Sequence, residues 1–157
     1  MSVPDSLPPG CVPVCHGCRH RRFDIAASLA QKSAYLARVL QPWADVLAAV
    51  TGPDAARRLG YRDRVTLTAR WHQDTGWQFG LVRRDELIAI HDCPVHTVRV
   101  RDLVHLLVAR LPPAAGLPLA YLHVCGAQAT LIIKAHEVDA AALDGLGLLV
   151  KPDNSNA

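Results

Sequence analysis

Arg64-Val65-Thr66-Leu67-Thr68-Ala69-Arg70-Trp71 is the stretch on which the fold class turns. Val65, Leu67, Ala69 and Trp71 alternate with Arg64, Thr66, Thr68 and Arg70, the period of two expected of a strand with one buried face and one basic, hydroxyl-bearing face. Downstream, Asp74-Thr75-Gly76 turns the chain into a second strand, Trp77 to Arg83. Arg84-Asp85-Glu86 turns it again into a short apolar run, Leu87 to Ile90. The three strands read as an antiparallel meander. Further on, Thr97 opens a predicted helix to about Leu111, with Leu103, Leu106, Leu107 and Arg110 as its periodic positions, and Pro112-Pro113 ends it. Leu119–Cys125 and Thr130–His136 read as a hairpin around Gly126-Ala127. Val138 to Leu143 reads as a short helix, Gly147 to Val150 as one more strand, and Lys151 to Ala157 as a polar tail. Upstream, Asp24 caps a predicted helix that runs to about Leu40 before Pro42, with Ile25, Leu29, Leu36, Val39 and Leu40 marking a buried face. The run from Trp43 to Val50 is too short to assign, and Thr51-Gly52-Pro53-Asp54 is a turn. The expected fold is therefore α+β: a meander and a hairpin packed with two main helices.

At 157 residues the chain has the length of one domain, expected to divide into a Cys-rich loop over 1–23, an α+β unit over 24–150 and a tail over 151–157. Half of it is apolar and a fifth charged, which excludes a disordered or fibrous chain. No apolar run nears the ~20 residues of a membrane span. Met1 to Gly10 has neither the basic nor the apolar region of a secretory signal, so the cytoplasm is the expected compartment. Net charge is only +3 but unevenly spread: residues 1–110 hold 14 Arg and 1 Lys against 10 acids, and residues 111–157 hold 2 Lys against 4. Arginine's planar fork suits phosphate, so an RNA-facing surface is one reading and an Arg-biased composition with solvated side chains is the other.

Five cysteines in a chain expected in a reducing compartment are not read as disulfides. Cys11, Cys15 and Cys18 fall within eight residues, and a Cys-x2-Cys step lets two thiolates converge while the intervening amides point at sulfur. Cys93, in His91-Asp92-Cys93-Pro94 just after a strand, is the natural fourth donor. Such a set can bind an iron–sulfur cluster or tetrahedral zinc. Joining Cys18 to Cys93 closes a loop of about 75 residues and costs about 4 kcal/mol of chain entropy. A bound metal centre would thus staple the N-terminal loop onto the meander. His16, His20, His91 and His96 lie beside these positions; one of them could complete a zinc site, and otherwise they stand behind the ligands or are merely exposed. Cys125, inside an apolar strand, reads as a small hydrophobe.

Three segments resemble the bacterial RNA uracil-C5 methyltransferases, which modify ribosomal or transfer RNA with S-adenosylmethionine. Cys15-His16-Gly17-Cys18, followed by Leu29 and Lys32, resembles the family's cluster-binding segment and the helix after it. Gly60-Tyr61-Arg62-Asp63-Arg64 resembles its Tyr-Arg-Asn-Lys strand opening. Gly80 to Arg84, with Asp92-Cys93-Pro94, resembles the strand that supplies its last cluster ligand. The resemblance covers residues 11 to about 136. It implies that Cys11, Cys15, Cys18 and Cys93 hold a 4Fe–4S cluster and that this region contacts folded RNA; Arg62, Arg64 and Arg70 are the expected phosphate contacts.

In that family the nucleophilic thiol, the base and the S-adenosylmethionine site come from a C-terminal doubly wound domain. Only 64 residues follow Cys93, and no strand, Gly-rich turn and helix among them reads as a nucleotide site; Leu143-Asp144-Gly145-Leu146-Gly147 is too little. The chain alone is expected to be inactive, either as the cluster-bearing part of a methyltransferase completed by a separate chain or as a free-standing iron–sulfur RNA-binding module. A zinc adaptor and a redox protein are the remaining readings.

Overall fold

The computed structural model describes residues 7–135 and residue 141. Helix α1 spans Ile25–Val39, β1 Arg64–His72, β2 Gly76–Arg83, β3 Glu86–Ala89, α2 Val98–Arg110, β4 Leu119–Cys125 and β5 Gln128–Ile133, with short 3-10 turns at Gln41–Val46 and Ala55–Arg57. The meander and the hairpin are not separate bodies: β1 pairs with β4, giving one antiparallel sheet of order β3-β2-β1-β4-β5. The fold is thus α+β, as the alternation in β1 predicts. The strand expected at Gly147–Val150 and the tail lie outside the described residues, as does the helix expected at Val138–Leu143 apart from residue 141. None of the described helices is long and apolar enough to cross a membrane.

The core lies on one face of the sheet. Val65, Leu67 and Ala69 of β1, Trp77 and Phe79 of β2, and Leu122 and Val124 of β4 all point into it. Helix α2 covers them with Val100, Val104 and Leu107, the Thr97 hydroxyl capping its first turn. This corrects the expected helix face: Leu106 is 48% exposed and Arg110 is exposed, because the stripe i, i+4, i+7 starting at Val100 meets the strands. The Trp77 indole donates to the Pro112 carbonyl at 2.7 Å, so the proline pair that stops α2 also receives a core hydrogen bond. Gly80 permits the closest strand approach. A Cβ there would stand 1.9 Å from the Ile88 carbonyl oxygen of β3.

Helix α1 forms where expected, with the Asp24 carboxylate accepting the Ala27 amide at 2.6 Å. Its expected buried face is only partly realised. Ser28 is its single buried residue; Ile25, Leu29 and Leu36 are half-buried, and Val39 is 47% exposed. β5 starts two residues before the expected Thr130 and ends at Ile133, with His136 outside the described residues.

Candidate metal centre and basic cavity

Residues 7–24 have no regular structure, so their backbone groups need other partners. Arg21 supplies several: its guanidinium donates to the carbonyls of Val12, at 3.3 Å, Pro13, at 2.6 Å, and Cys15. Arg58 closes the loop from outside by donating to the carbonyls of His20, at 3.0 Å, and Phe23. His20 Nδ1 is hydrogen-bonded to the Ser28 hydroxyl at 2.8 Å, which explains why a serine is the buried residue of α1.

The second half of the site comes from the segment after β3. Cys93 follows a turn closed by its amide on the Ile90 carbonyl at 3.2 Å. The next residues run alongside 60–62: the Gly60 amide donates to Pro94, the Arg62 amide to Val95, and the Thr97 amide to Arg62, all within 3.0 Å. Gly10 joins the halves. Its φ of +78° and the 2.2 Å separation of a built Cβ from the Asp92 carbonyl oxygen show the loop backbone lying directly on the Cys93 segment. Val12, Cys15 and Cys93 pack against the same core as Leu81.

Cys11, Cys15, Cys18 and Cys93 consequently line one cavity of about 710 Å³. The Gly17 amide stands 3.4 Å from Cys15 Sγ, the amide-to-sulfur contact that the Cys-x2-Cys spacing suggests. Burial pushes the Cys18 thiol above its ordinary range, Cys93, Cys15 and Cys11 push the same way, and the Arg62 guanidinium opposes them. Among the described residues no group of three or more His, Cys, Asp or Glu side chains forms a site for a metal ion. At a Zn–S bond of about 2.3 Å, tetrahedral zinc would need its sulfurs about 3.8 Å apart. The thiols share a cavity without gathering on one point.

The cavity lining was not anticipated from the sequence beyond its basic run at 19–22. Arg19, Arg21, Lys32, Arg57, Arg58 and Arg62 line it, and no Asp or Glu does. The four neighbouring histidines do not converge as ligands. His20 is held by Ser28, and His16 is exposed. His91 Nε2 accepts the Phe79 amide at 3.0 Å, and burial foremost, then His105, lowers its pKa against the opposing pull of Asp92. His96 is 3% exposed, with Nδ1 unpartnered; burial, then Arg62 and Arg101, lowers its pKa to about 4 and keeps it neutral. One contact had no sequence signal: Asp92 pairs with His105 of α2 at 2.7 Å, tying the Cys93 segment to that helix.

The three arginines expected to meet RNA are not brought together. Arg62 is exposed and lines the cysteine cavity. Arg64 and Arg70 share the solvent face of β1 but lie six residues, about 20 Å, apart along it. Arg70 is half-buried and donates to the Asp85 carbonyl. Cys125 sits half-buried at the end of β4 opposite Arg64 and does not line the cysteine cavity.

No protein-family model matches this chain, and a search of curated proteins gives no significant match. The likeness to the RNA uracil-C5 methyltransferases rests on the sequence segments quoted above.

Proposed function

We propose that this chain is an iron–sulfur, RNA-recognising module related to the cluster-bearing part of RNA uracil-C5 methyltransferases, and that it does not transfer methyl groups by itself. The observation that carries the reading is the single cavity lined by Cys11, Cys15, Cys18 and Cys93 and free of carboxylates. A cluster ligated by four thiolates is anionic, and the cavity's six Lys and Arg side chains match that charge. When bound, the cluster would supply iron–thiolate bonds between the N-terminal loop and the meander. The chain's own residues would do the rest. The Gly17 amide faces Cys15 sulfur, Arg62 favours the Cys18 thiolate, and Arg21 and Arg58 hold the loop in shape.

S-adenosylmethionine does not fit the described residues. Every strand pair in the sheet is antiparallel, so the parallel strand–helix–strand unit that cradles a nucleotide cofactor is missing among them. Methyl transfer would need a separate polypeptide or residues outside those described.

Anaerobic purification with iron and sulfide analysis tests the reading. Near four iron and four sulfide per chain are expected, with loss of both in Cys93→Ser. A colourless protein with one zinc would replace the cluster with the zinc adaptor, and full cluster retention in Cys93→Ser would remove that residue from the ligand set.

A further inference from the structure

The face of the sheet opposite α2 carries no side chain that the core explains. The register defines it: Arg64 faces Cys125, Thr66 faces His123, and Thr68 faces Tyr121 across β1 and β4. Outward from these, His123 pairs with Thr130 and Tyr121 with Ile132. On the other side, Arg70 pairs with Gln78 and Thr68 with Gly80, which in turn meets Ala89 of β3. Not one of these positions is Asp or Glu. Apart from Gly80, which is buried, these positions are exposed or half-buried.

Two rings stand on this face two residues apart on β4, separated by about 7 Å. His123 is fixed by a 2.8 Å hydrogen bond to the Thr66 hydroxyl. The Tyr121 ring has the Lys134 ammonium 5.5 Å from its centroid. Arg64 and Arg70 flank the pair on the adjacent strand. Among the described residues no Lys or Arg forms an ion pair with a carboxylate; the sole pair is His105 with Asp92. Among the described residues none of the cations on this face lies within ion-pair distance of a carboxylate, and Arg70 also donates to the Asp85 carbonyl.

We propose that this face is a stacking platform for single-stranded polynucleotide, which is RNA on the function proposed above, on which the inference rests. Phosphates meet Arg64, Arg70 and Lys134, and two successive bases meet Tyr121 and His123. The 7 Å spacing exceeds the ~3.4 Å rise of a stacked strand, so bases that reach both rings are splayed apart, a conformation open to a single strand and closed to a duplex. A carboxylate-free surface with flat rings selects this partner over an ordinary protein surface, which would bring both signs of charge.

Fluorescence anisotropy with a labelled unstructured 12-nucleotide RNA and a hairpin of equal length tests it on the full chain, with iron content measured on each preparation. Wild type should bind the single strand at least tenfold more tightly than the duplex. Tyr121→Ala should weaken the single strand about tenfold or more, Tyr121→Phe should leave it unchanged, and Arg64→Ala should reduce the salt slope by about one. Equal binding of strand and duplex, or unaltered affinity in Tyr121→Ala with unaltered melting, overturns the platform while leaving the cluster reading intact. Protection of Tyr121 from hydroxyl-radical labelling in the free protein also overturns it, by showing that protein covers the face. No RNA binding by cluster-loaded wild type overturns both the platform and the RNA half of the proposed function.

Discussion

Gly10→Ala tests how the cysteine loop is held against the meander. The methyl group meets two obstacles. At φ +78° a side chain carries a left-handed backbone penalty of about 1–2 kcal/mol. Its Cβ would also lie 2.2 Å from the Asp92 carbonyl oxygen, and relieving such a contact costs about 1–3 kcal/mol. Together these destabilise the docked loop by about 2–5 kcal/mol. The molecule can escape that cost locally. Residues 7–22 contribute only Val12 and Cys15 to the periphery of the core, so the loop can leave while α2 and the sheet stay folded. The global melting transition should therefore move little.

Trypsin reads the local step directly, because Arg19, Arg21 and Arg22 are cleavage sites within the loop. When opening is fast relative to cleavage, the rate follows the open population. A loss of about 2 kcal/mol then accelerates cleavage at these sites about thirtyfold. Equal cleavage rates in Gly10→Ala and wild type would show that the loop backbone does not rest on Asp92, and the cavity built on that contact would fall with it.

Three further outcomes follow from the same geometry. Gly80→Ala should act globally, because its Cβ meets the β3 backbone 1.9 Å away with no flexible side chain to yield; a loss of about 3 kcal/mol or failure to fold is expected in urea titration. His96 has a folded pKa near 4, below its unfolded value of 6.5. Between these values the unfolded chain binds a proton that the folded chain refuses, so stability falls as pH drops from 6.5 to about 4, by up to about 3 kcal/mol from this group, and no further below. Urea midpoints across that window should flatten in His96→Leu relative to wild type. Trp77→Phe leaves the half-buried Pro112 carbonyl without its donor and a gap beside the fully buried ring, and should cost about 2 kcal/mol with the fold intact, measured by denaturation and near-UV circular dichroism.

The legible part of the fold is the part set by local chemistry. The alternation from Arg64 to Trp71, the turns at 74–75, 84–85 and 126–127, Asp24 and Thr97 as caps and Pro112 as a stop each act within a few residues, and each element they mark is present, whereas the turn expected at Thr51–Asp54 is irregular chain. Long-range pairing was not legible: nothing in Leu119–Cys125 says that it joins β1 and turns a meander and a hairpin into one sheet. The buried stripe of α2 was misread for a related reason. Leucines and valines occur all round that helix, so periodicity alone could not choose between Leu106 and Val104, whereas the strands beneath it do. In the site, the four cysteines expected to act together do line one cavity, but that cavity depends on Gly10 and Arg21, whose roles require the tertiary structure.

The arrangement of charge bears on the two meanings of an arginine-rich composition. Arginines that merely reflect composition would be scattered over the surface, and carboxylates would stand among them by chance. Residues 7–135 hold nine carboxylates beside 14 Arg and 2 Lys, enough for pairing to be common. Instead no Arg or Lys among the described residues meets an Asp or Glu within ion-pair distance. The cavity holding the cysteines and the outer face of the sheet both lack carboxylates. Such sorting gives up the small stabilisation of surface pairs, worth up to about 1 kcal/mol each. It also leaves the cations of two separate surfaces without carboxylate partners among the described residues, and the anionic partners proposed above rest on that arrangement.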